Sequence, residues 1–439
     1  MKSLKRGRTI KLQIAILVLA CQLATLAFVV VYALPNDNPH PRVNDSMSKV
    51  AYETEATTDS ISDNTTVISN PDAVPVKWTF MVYVDADDSN LEEQAIGDFL
   101  EMAEVGSNKD VNIVVQLDRI SGEDASYGDW SDCRRFLITE GLTPDDMSAA
   151  VAVGEVNMGD AATLVDFAGW TAYNYPAEHY ALIISSHGKG WLGCCWDETS
   201  GNDNLNLMEL RSALSDVNNL LGKPLDVLGF DACLMGMTEV ACEVKDYASV
   251  LVASENAEPS SGWPYDSILA QLTGAPDMNS DQLATAIVDH YYVDHAPTNY
   301  TMAAIDLTKV DTLIGTFNNL AQSLVVYGDS NSETVKQYAE ETMAAIDEAV
   351  SYEKHGTRWP DSHGIAIYFP KEMNVFDSAY NANTASLAND TGWEEFLLGY
   401  YASTDNGWIT TARSQAQAYY CKEHIDLYDF CQHLIDSEP

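Results

Sequence analysis

Basic residues are scarce in this chain of 439 residues, which has 23 lysines and arginines against 66 aspartates and glutamates. The resulting formal net charge of −43 repels phosphate groups and anionic lipids, and it attracts cations and basic peptides. The composition therefore argues against a nucleic acid partner. An acidic surface that serves only solubility is the plainer alternative.

Paired cysteine motifs are missing as well. The eight cysteines include no C-x-x-C pair of the kind that builds structural zinc sites. Their spacing also leaves any disulfide pairing open. A zinc-dependent fold or reaction is therefore not expected.

Only one long apolar run is present. Residues 12–34 contain no formal charge and follow a cluster of five basic residues, so residues 1–34 are predicted to be a signal peptide or a membrane anchor. Because the basic cluster stays on the cytoplasmic side, the rest of the chain is expected to be extracytoplasmic, either secreted or tethered to the outer face of the membrane. Residues 35–75 are rich in Asn, Asp, Ser, Thr and Pro, which predicts a flexible linker or prosegment.

Strand and helix patterns alternate through residues 76–402. Apolar runs such as WTFMVYV, YALIISS and LDVLGF predict buried strands, and stretches of helical period lie between several of them. This alternation predicts an α/β fold with a doubly wound, mainly parallel sheet flanked by helices. Residues 403–439 are predicted to form a helical extension that packs against this domain.

Two reactive side chains, His187 and Cys233, each follow one of these apolar strands. Both strands stop at small or polar residues, as in ALIISSHG and LGFDAC. Because parallel strands present their carboxyl ends at one edge of the sheet, we expect the imidazole and the thiol to meet there. For either residue alone, a buried core cysteine or a hydrogen-bonded core histidine is the plainer interpretation.

The chemistry of this pair is that of acyl transfer. A thiol is only slightly ionised at neutral pH, so it needs a base such as His187 to become the attacking thiolate. Gly188 and Gly190 lack a Cβ, so their amides can approach a developing oxyanion closely. The two motifs together predict a cysteine peptidase.

SHGKGW and GFDACLMGMTEV resemble the histidine and cysteine motifs of the clostripain-like cysteine peptidases, which are relatives of caspases, legumains and gingipains. KWTFMVYVDADDSNLEE, GEVNMGDAATLVDF and HGIAIYFP resemble further blocks of that family. The resemblance spans about residues 76–402. It implies a caspase-like fold and an exported endopeptidase.

The resemblance also implies roles for individual residues. Cys233 is the nucleophile, His187 is the general base and then the acid, and the amides of Gly188 and Cys233 form the oxyanion hole. No third catalytic residue is implied, and the chemistry requires no cofactor.

Asp231, two residues before the nucleophile, is implied to bind a substrate Arg or Lys at P1, the residue before the cleaved bond. Where some relatives carry another acidic residue, this chain has EPSSGW, so we expect Glu255 or Glu258 to line the pocket instead. The alternative for Asp231 is a residue that only caps its loop.

Calcium is a possible ligand because the family includes a calcium-dependent member. Asp85, Asp87 and Asp88 place three carboxylates at the end of the first predicted strand, although they do not match an EF-hand loop. A solvated strand end is the alternative interpretation.

The expected partners are peptide or protein substrates, and the chain is expected to be a monomer. Two other functions remain open on the same scaffold. One is a catalytically silent, surface-tethered binding protein, and the other is a thiol transpeptidase or ligase. No residue spacing reports whether water or an amine accepts the acyl group.

Overall fold

The fold is seen in a computed structural model of the chain. It describes residues 67, 70, 73–295, 299–327, 332–372, 376–377, 379–403, 407–418 and 423–437. The predicted leader and most of the predicted linker lie outside these residues. None of the helices that the structure describes has the length and apolar character needed to cross a membrane.

The strands are β1 (Val76–Ala86), β2 (Val111–Arg119), β3 (Cys133–Leu137), β4 (Ala150–Gly154), β5 (Ala177–Ser185), β6 (Cys194–Asp197), β7 (Asp203–Leu205), β8 (Leu225–Asp231), β9 (Ala248–Ala253), β10 (Thr301–Asp306), β11 (Val350–His355), β12 (Ala366–Tyr368) and β13 (His424–Asp426). The helices are α1 (Glu92–Val105), α2 (Ala161–Asn174), α3 (Leu207–Leu221), α4 (Thr238–Val244), α5 (Tyr265–Gly274), α6 (Ser280–Asp294), α7 (Val310–Tyr327), α8 (Ser332–Ala349), α9 (Tyr380–Asn383), α10 (Ala385–Asp390), α11 (Trp393–Ala402), α12 (Gly407–Gln415) and α13 (Leu427–Asp436).

The central sheet has nine strands in the order β11-β10-β9-β8-β5-β1-β2-β3-β4. The five middle strands, from β9 to β2, are parallel to one another. At each edge, two further strands are added, and each of them pairs antiparallel with the strand before it in this order. The predicted mainly parallel sheet is therefore confirmed for its centre, and the edges make it mixed.

The middle strands are mostly apolar because helices cover both faces of the sheet. Phe99 of α1 and Ile287 of α6 belong to the core on one face. Phe167 of α2, Val240 of α4 and Phe317 of α7 belong to the core on the other face. This confirms the predicted doubly wound arrangement.

The C-terminal part of the chain differs from its prediction. Instead of one helical extension, it forms α12, the short strand β13 and α13, and β13 pairs with β12 in a separate two-stranded ribbon. Asp426 causes the change from strand to helix, because its side chain accepts a hydrogen bond from Asp429 N at 2.7 Å and caps α13. Phe430 then packs against Phe369, with ring centroids 5.4 Å apart. The segment therefore packs on the domain through this aromatic contact.

Candidate active site

The site lies where β5 and β8 end side by side. Ser185 and Asp231, the last residues of these strands, are paired in the parallel register. His187 and Cys233 each follow their strand end by two residues, so the equal offset brings them to the same edge of the sheet. Both line one cavity of about 130 Å³.

A tight turn presents Cys233 at this edge. Leu234, the next residue, has a φ of 67°, which is uncommon for a residue with a Cβ, and its amide donates to Asn256 O at 2.9 Å. Cys233 is partly exposed, whereas the other five cysteines that the structure describes are buried. One of these is Cys242, which lies in the core as predicted.

The Cys233 sulfur lies in a partly buried, negatively charged environment. The amide of Glu258 donates to the sulfur at 3.2 Å. Burial first, and then the neighbouring acidic side chains of Glu258 and Asp231, raise the pKa of the Cys233 thiol to about 11. The thiol is therefore protonated at neutral pH and needs a proton acceptor before it can attack.

His187 contacts a carboxylate that the sequence did not assign to it. Its Nε2 lies 3.4 Å from Asp88 Oδ1. Burial alone would raise the pKa of Asp88, but the hydrogen bonds from His187 and Asn90 hold it below its ordinary value. Asp88 is thus ionised at neutral pH and can orient the imidazole, although the family resemblance implied no third residue.

The backbones of the two motifs approach each other at Gly188. A Cβ atom there would lie 2.3 Å from Cys233 O and 3.1 Å from Cys233 N, so only glycine fits. Neither the Gly188 amide nor the Cys233 amide donates to a backbone carbonyl of another residue in the described chain. The backbones of the two residues predicted to form the oxyanion hole are therefore in close contact, and neither amide has a backbone acceptor in the described chain.

Four acidic residues line the cavity: Asp85, Asp98, Asp231 and Glu258. Asp231 Oδ2 accepts hydrogen bonds from Trp263 N at 3.2 Å and Tyr265 Oη at 2.9 Å. Burial raises the pKa of Asp231 to about 6, although these two hydrogen bonds lower it. Burial first, and then the charge of Asp231, raise the pKa of both Asp98 and Glu258 well above ordinary values.

Asp98 was missed by the sequence analysis. It lies on α1, is only 5% exposed, and its carboxylate makes no hydrogen bond within the described part of the chain. A Cβ atom on Gly262 would lie 3.0 Å from Asp231 Oδ2 and 3.2 Å from both Asp98 oxygens, so the two carboxylates flank one point. Only the packing of α1 reveals this proximity.

Glu255 does not line the cavity, so its predicted position is wrong. It is fully buried, and its Oε2 accepts hydrogen bonds from Ser362 Oγ and, at 2.9 Å, from Gly364 N. Its side chain therefore holds the segment before β12. Glu258, the other residue named for this role, lines the cavity instead.

The three carboxylates predicted to bind calcium point to different partners. Asp85 Oδ2 accepts from Ser186 Oγ at 2.9 Å, and Asp88 faces His187. Asp87 alone joins a group with metal-binding geometry, in which its ligand atom and those of Glu155 and Asp197 lie within 4.8 Å of one another. The predicted set does not share a centre, but a different set of carboxylates does.

The fold and the site define an α/β protein with a thiol and an imidazole at the carboxyl edge of its parallel strands. The sequence model of the clostripain family matches residues 82–433. The chain therefore belongs to the clostripain family.

Clostripain from Hathewaya histolytica is 28% identical over 293 residues, a match that covers 60% of this chain and 55% of clostripain. The chain thus spans just over half the length of that relative. A secreted C11 cysteine protease from Bacteroides thetaiotaomicron, solved with an irreversible peptide inhibitor, matches 72% of this chain and 99% of its own, with 18% identity and a TM-score of 0.55. An inactive zymogen C11 protease from Parabacteroides distasonis matches 74% of this chain and 99% of its own chain, with 18% identity and a TM-score of 0.52. These likenesses confirm the predicted caspase-like fold.

Proposed function

We propose that this chain is a cysteine endopeptidase that hydrolyses peptide bonds through Cys233 and His187. The observation that carries the proposal is the cavity that both residues share, because buried carboxylates line the same cavity. A silent binding protein would not need a thiol and an imidazole at matched offsets from two paired strands. Family membership supports the same conclusion.

His187 has two tasks in the proposed reaction. Because its Nε2 contacts Asp88, Nδ1 is the ring nitrogen left to take the thiol proton as Cys233 attacks the scissile carbonyl. The amides of Gly188 and Cys233 stabilise the oxyanion that forms. His187 then returns the proton to the leaving amine, which leaves a thioester on Cys233.

Water completes the cycle. His187 takes a proton from the attacking water, the tetrahedral intermediate collapses, and the carboxylic acid product leaves as the thiol is restored. Transpeptidation would follow the same steps with an amine in place of water. Hydrolysis is proposed because family membership favours it.

The proposed P1 residue is Arg or Lys. Asp231 and Asp98 are buried side chains that line the cavity together with Glu258, and a substrate cation would compensate the charge of the Asp231 carboxylate. The overall charge of −43 would attract basic peptides to the same surface.

The proposed location is outside the cell, either secreted or tethered through residues 12–34. The apolar run after a basic cluster supports this location. The Bacteroides relative is also a secreted protease.

Matched peptide reporters test the proposed function. The full-length chain is offered reporters that differ only in a P1 residue of Arg, Lys, Leu or Asp. We expect cleavage after Arg and Lys that iodoacetamide abolishes. Cleavage after Leu or Asp alone would refute the acidic pocket, and complete inactivity towards all four would favour a binding protein.

Replacing Asp88 with asparagine tests how His187 is positioned. A positioned base contributes about 10²- to 10⁴-fold to the rate. We therefore expect the loss of its carboxylate partner to lower kcat by about 10- to 100-fold. KM should stay unchanged because Asp88 does not line the substrate cavity. Alkylation of Cys233 by iodoacetamide should slow in parallel, because the imidazolium that balances the thiolate loses its partner.

Asp281→Asn serves as a control for the loss of one negative charge, since Asp281 is exposed on α6. An increase in KM without a change in kcat would show that Asp88 acts on the substrate and not on His187.

A further inference from the structure

A second, larger cavity lies beside the catalytic one. Its volume is about 1150 Å³, and Glu258 and Pro259 line both cavities. The amide of Glu258 donates to the Cys233 sulfur at 3.2 Å. A single stretch of backbone therefore separates the second cavity from the nucleophile, and a peptide bound at Cys233 can reach both cavities.

The second cavity is rich in positive charge. Arg358, Lys371 and Arg413 line it, and we call it the basic cavity. Glu258 is the one acidic residue among the described residues of its wall. Burial first, and then the charge of Asp231, raise the pKa of Glu258 well above its ordinary value, so this side chain offsets little of the positive charge. The cavity thus contrasts with the rest of a chain whose formal net charge is −43.

Two of these cations are available to a ligand. Arg358 and Lys371 are exposed, and neither takes part in an ion pair within the described chain. Arg358 Nη1 donates to Asn299 Oδ1 at 3.2 Å, and the guanidinium carbon lies 5.2 Å from the centroid of the Trp359 ring. These contacts hold the guanidinium group without neutralising it. A guanidinium suits a carboxylate, because it can donate two parallel hydrogen bonds to the two oxygens.

Buried polar groups also line the basic cavity. Arg413 of α12 is only 7% exposed, and its Nε and Nη2 donate to Phe369 O at 3.1 and 2.7 Å. The hydroxyl of Tyr300 is buried and makes no hydrogen bond within the described chain. Burying a charge or a hydroxyl group costs free energy that a ligand with negative charge offsets. Both groups therefore favour an anion in the cavity.

The loop that carries Arg358 is fixed relative to the catalytic loop. The amide of Gly356 donates to Tyr300 O at 2.8 Å, just before β10. The buried carboxylate of Glu255 accepts a hydrogen bond from Ser362 Oγ at the other end of the loop. Because Glu255 precedes Glu258 by three residues, the same short segment supports both cavities. The cations thus have a defined position beside the reacting atoms.

We propose that the basic cavity binds an acidic side chain of the peptide substrate, a few residues from P1. This inference rests on the proposed function, because it adds a second contact to the same substrate. An extended peptide advances roughly 3.3 Å per residue, so a side chain a few positions from P1 can pass the backbone of Glu258 and Pro259. The preferred substrate then carries a basic residue for the acidic cavity and an acidic residue for the basic one. Such opposite requirements select against peptides with either charge alone.

Reporters that differ only in the position of one aspartate test this selectivity. Each has Arg at P1 and a single Asp at P4, P3, P2, P1′ or P2′, and each is compared with the same peptide carrying Asn at that position. All Asp reporters have the same charge, so the general repulsion from the acidic chain affects them alike. We expect one position at which kcat/KM is about three- to tenfold higher for Asp than for Asn, the combined effect of two partly exposed ion pairs. No such position would overturn the proposal.

Arg358→Gln and Lys371→Gln connect this preference to the basic cavity. Both side chains are exposed, so their replacement does not threaten the fold. Each variant should lower the Asp over Asn ratio at least about twofold, and the double variant should abolish the preference. Lys309→Gln is the matched control and should keep it, because Lys309 is exposed and follows the end of β10 that lies beside the start of β9, away from the catalytic edge. A preference that survives in the double variant would overturn the assignment.

A binding measurement separates this proposal from the peptidase proposal. The full-length chain with Cys233→Ala is titrated with the same peptides, labelled for fluorescence anisotropy, and the Asp peptide of the preferred position should bind about three- to tenfold more tightly than its Asn partner. Tighter binding without turnover of any reporter by the parent chain would refute the peptidase and keep the cavity. Turnover after Arg with no effect of Asp in either assay would refute the cavity alone. An equal gain at every position would show general attraction to basic side chains, and it would also overturn the proposal.

Discussion

Replacing Cys233 with alanine is expected to lower kcat on an Arg reporter by a factor on the order of 10⁵ to 10⁶, the loss seen when a covalent nucleophile is removed. Without the sulfur, no thioester can form. The side chain is partly exposed on a loop, so its removal should leave the unfolding midpoint near that of the parent. Reporter kinetics and thermal unfolding of the same samples check both expectations.

The partnership of thiol and imidazole is tested by combining substitutions. His187→Ala should lower kcat by about as much as Cys233→Ala does. The double variant should be no slower than either single variant, because the losses of residues that act as a unit are not additive. Cys242→Ala is the control, since this thiol is buried on α4 away from the cavity. Additive losses, or turnover that survives in Cys233→Ala, would show that another group performs the chemistry.

The placement of His187 and Cys233 could be predicted from the local sequence, because it depends only on two strands and their register. Buried parallel strands are recognisable as apolar runs, and both reactive residues lie two positions after such a run. The pairing of Ser185 with Asp231 converts this equal spacing into proximity. The same argument cannot predict the position of a side chain whose neighbours come from distant parts of the chain.

Glu255 and Asp98 illustrate what the sequence could not provide. Glu255 follows β9 as a pocket residue would, but its carboxylate bonds Ser362, which is 107 residues away. Asp98 resembles any polar residue on an amphipathic helix until α1 packs beside the cysteine loop. Asp88 was noticed as an acidic residue, yet only the packed loops show that its carboxylate meets the imidazole of His187. Long-range packing decides all three cases.

The pocket gives the second large expected effect, a loss of P1 selectivity in Asp231→Asn. Among the four acids that line the cavity, Asp231 has the smallest increase, with its pKa raised to about 6. The pKa of Asp85 is raised to about 7, and the pKa values of Asp98 and Glu258 are raised well above their ordinary range. At neutral pH, Asp231 therefore carries the negative charge of the empty pocket. It should make the main contribution to binding a P1 cation.

Asparagine keeps an oxygen that can accept from Trp263 N and Tyr265 Oη, so the loop should stay in place while the charge is lost. Removing one partner of a buried charged pair costs about 2–5 kcal/mol. This corresponds to a decrease of about 30- to 5,000-fold in kcat/KM for the Arg reporter. The Leu reporter should change little, because its side chain makes no ion pair.

Asp98→Asn is expected to reduce cleavage after Arg by less than Asp231→Asn does, because Asp98 is neutral until the cation arrives. Glu101→Gln is the matched control on the same helix. Its side chain accepts from Tyr265 N at 3.0 Å and does not line the cavity, and glutamine can keep that bond. An equal loss on Arg and Leu reporters in Asp231→Asn would mean that Asp231 only caps its loop.

The selectivity should also depend on pH. Because the pKa of Asp231 is raised to about 6, its carboxyl is neutral below that pH and charged above it. The ratio of kcat/KM for Arg over Leu should therefore increase as the pH passes upward through about 6 and be lost as it falls. Taking this ratio cancels any effect of pH on the chemical step, because that effect acts on both reporters alike. In Asp231→Asn the step should disappear, and a step that persisted would assign the titration to another carboxyl of the pocket.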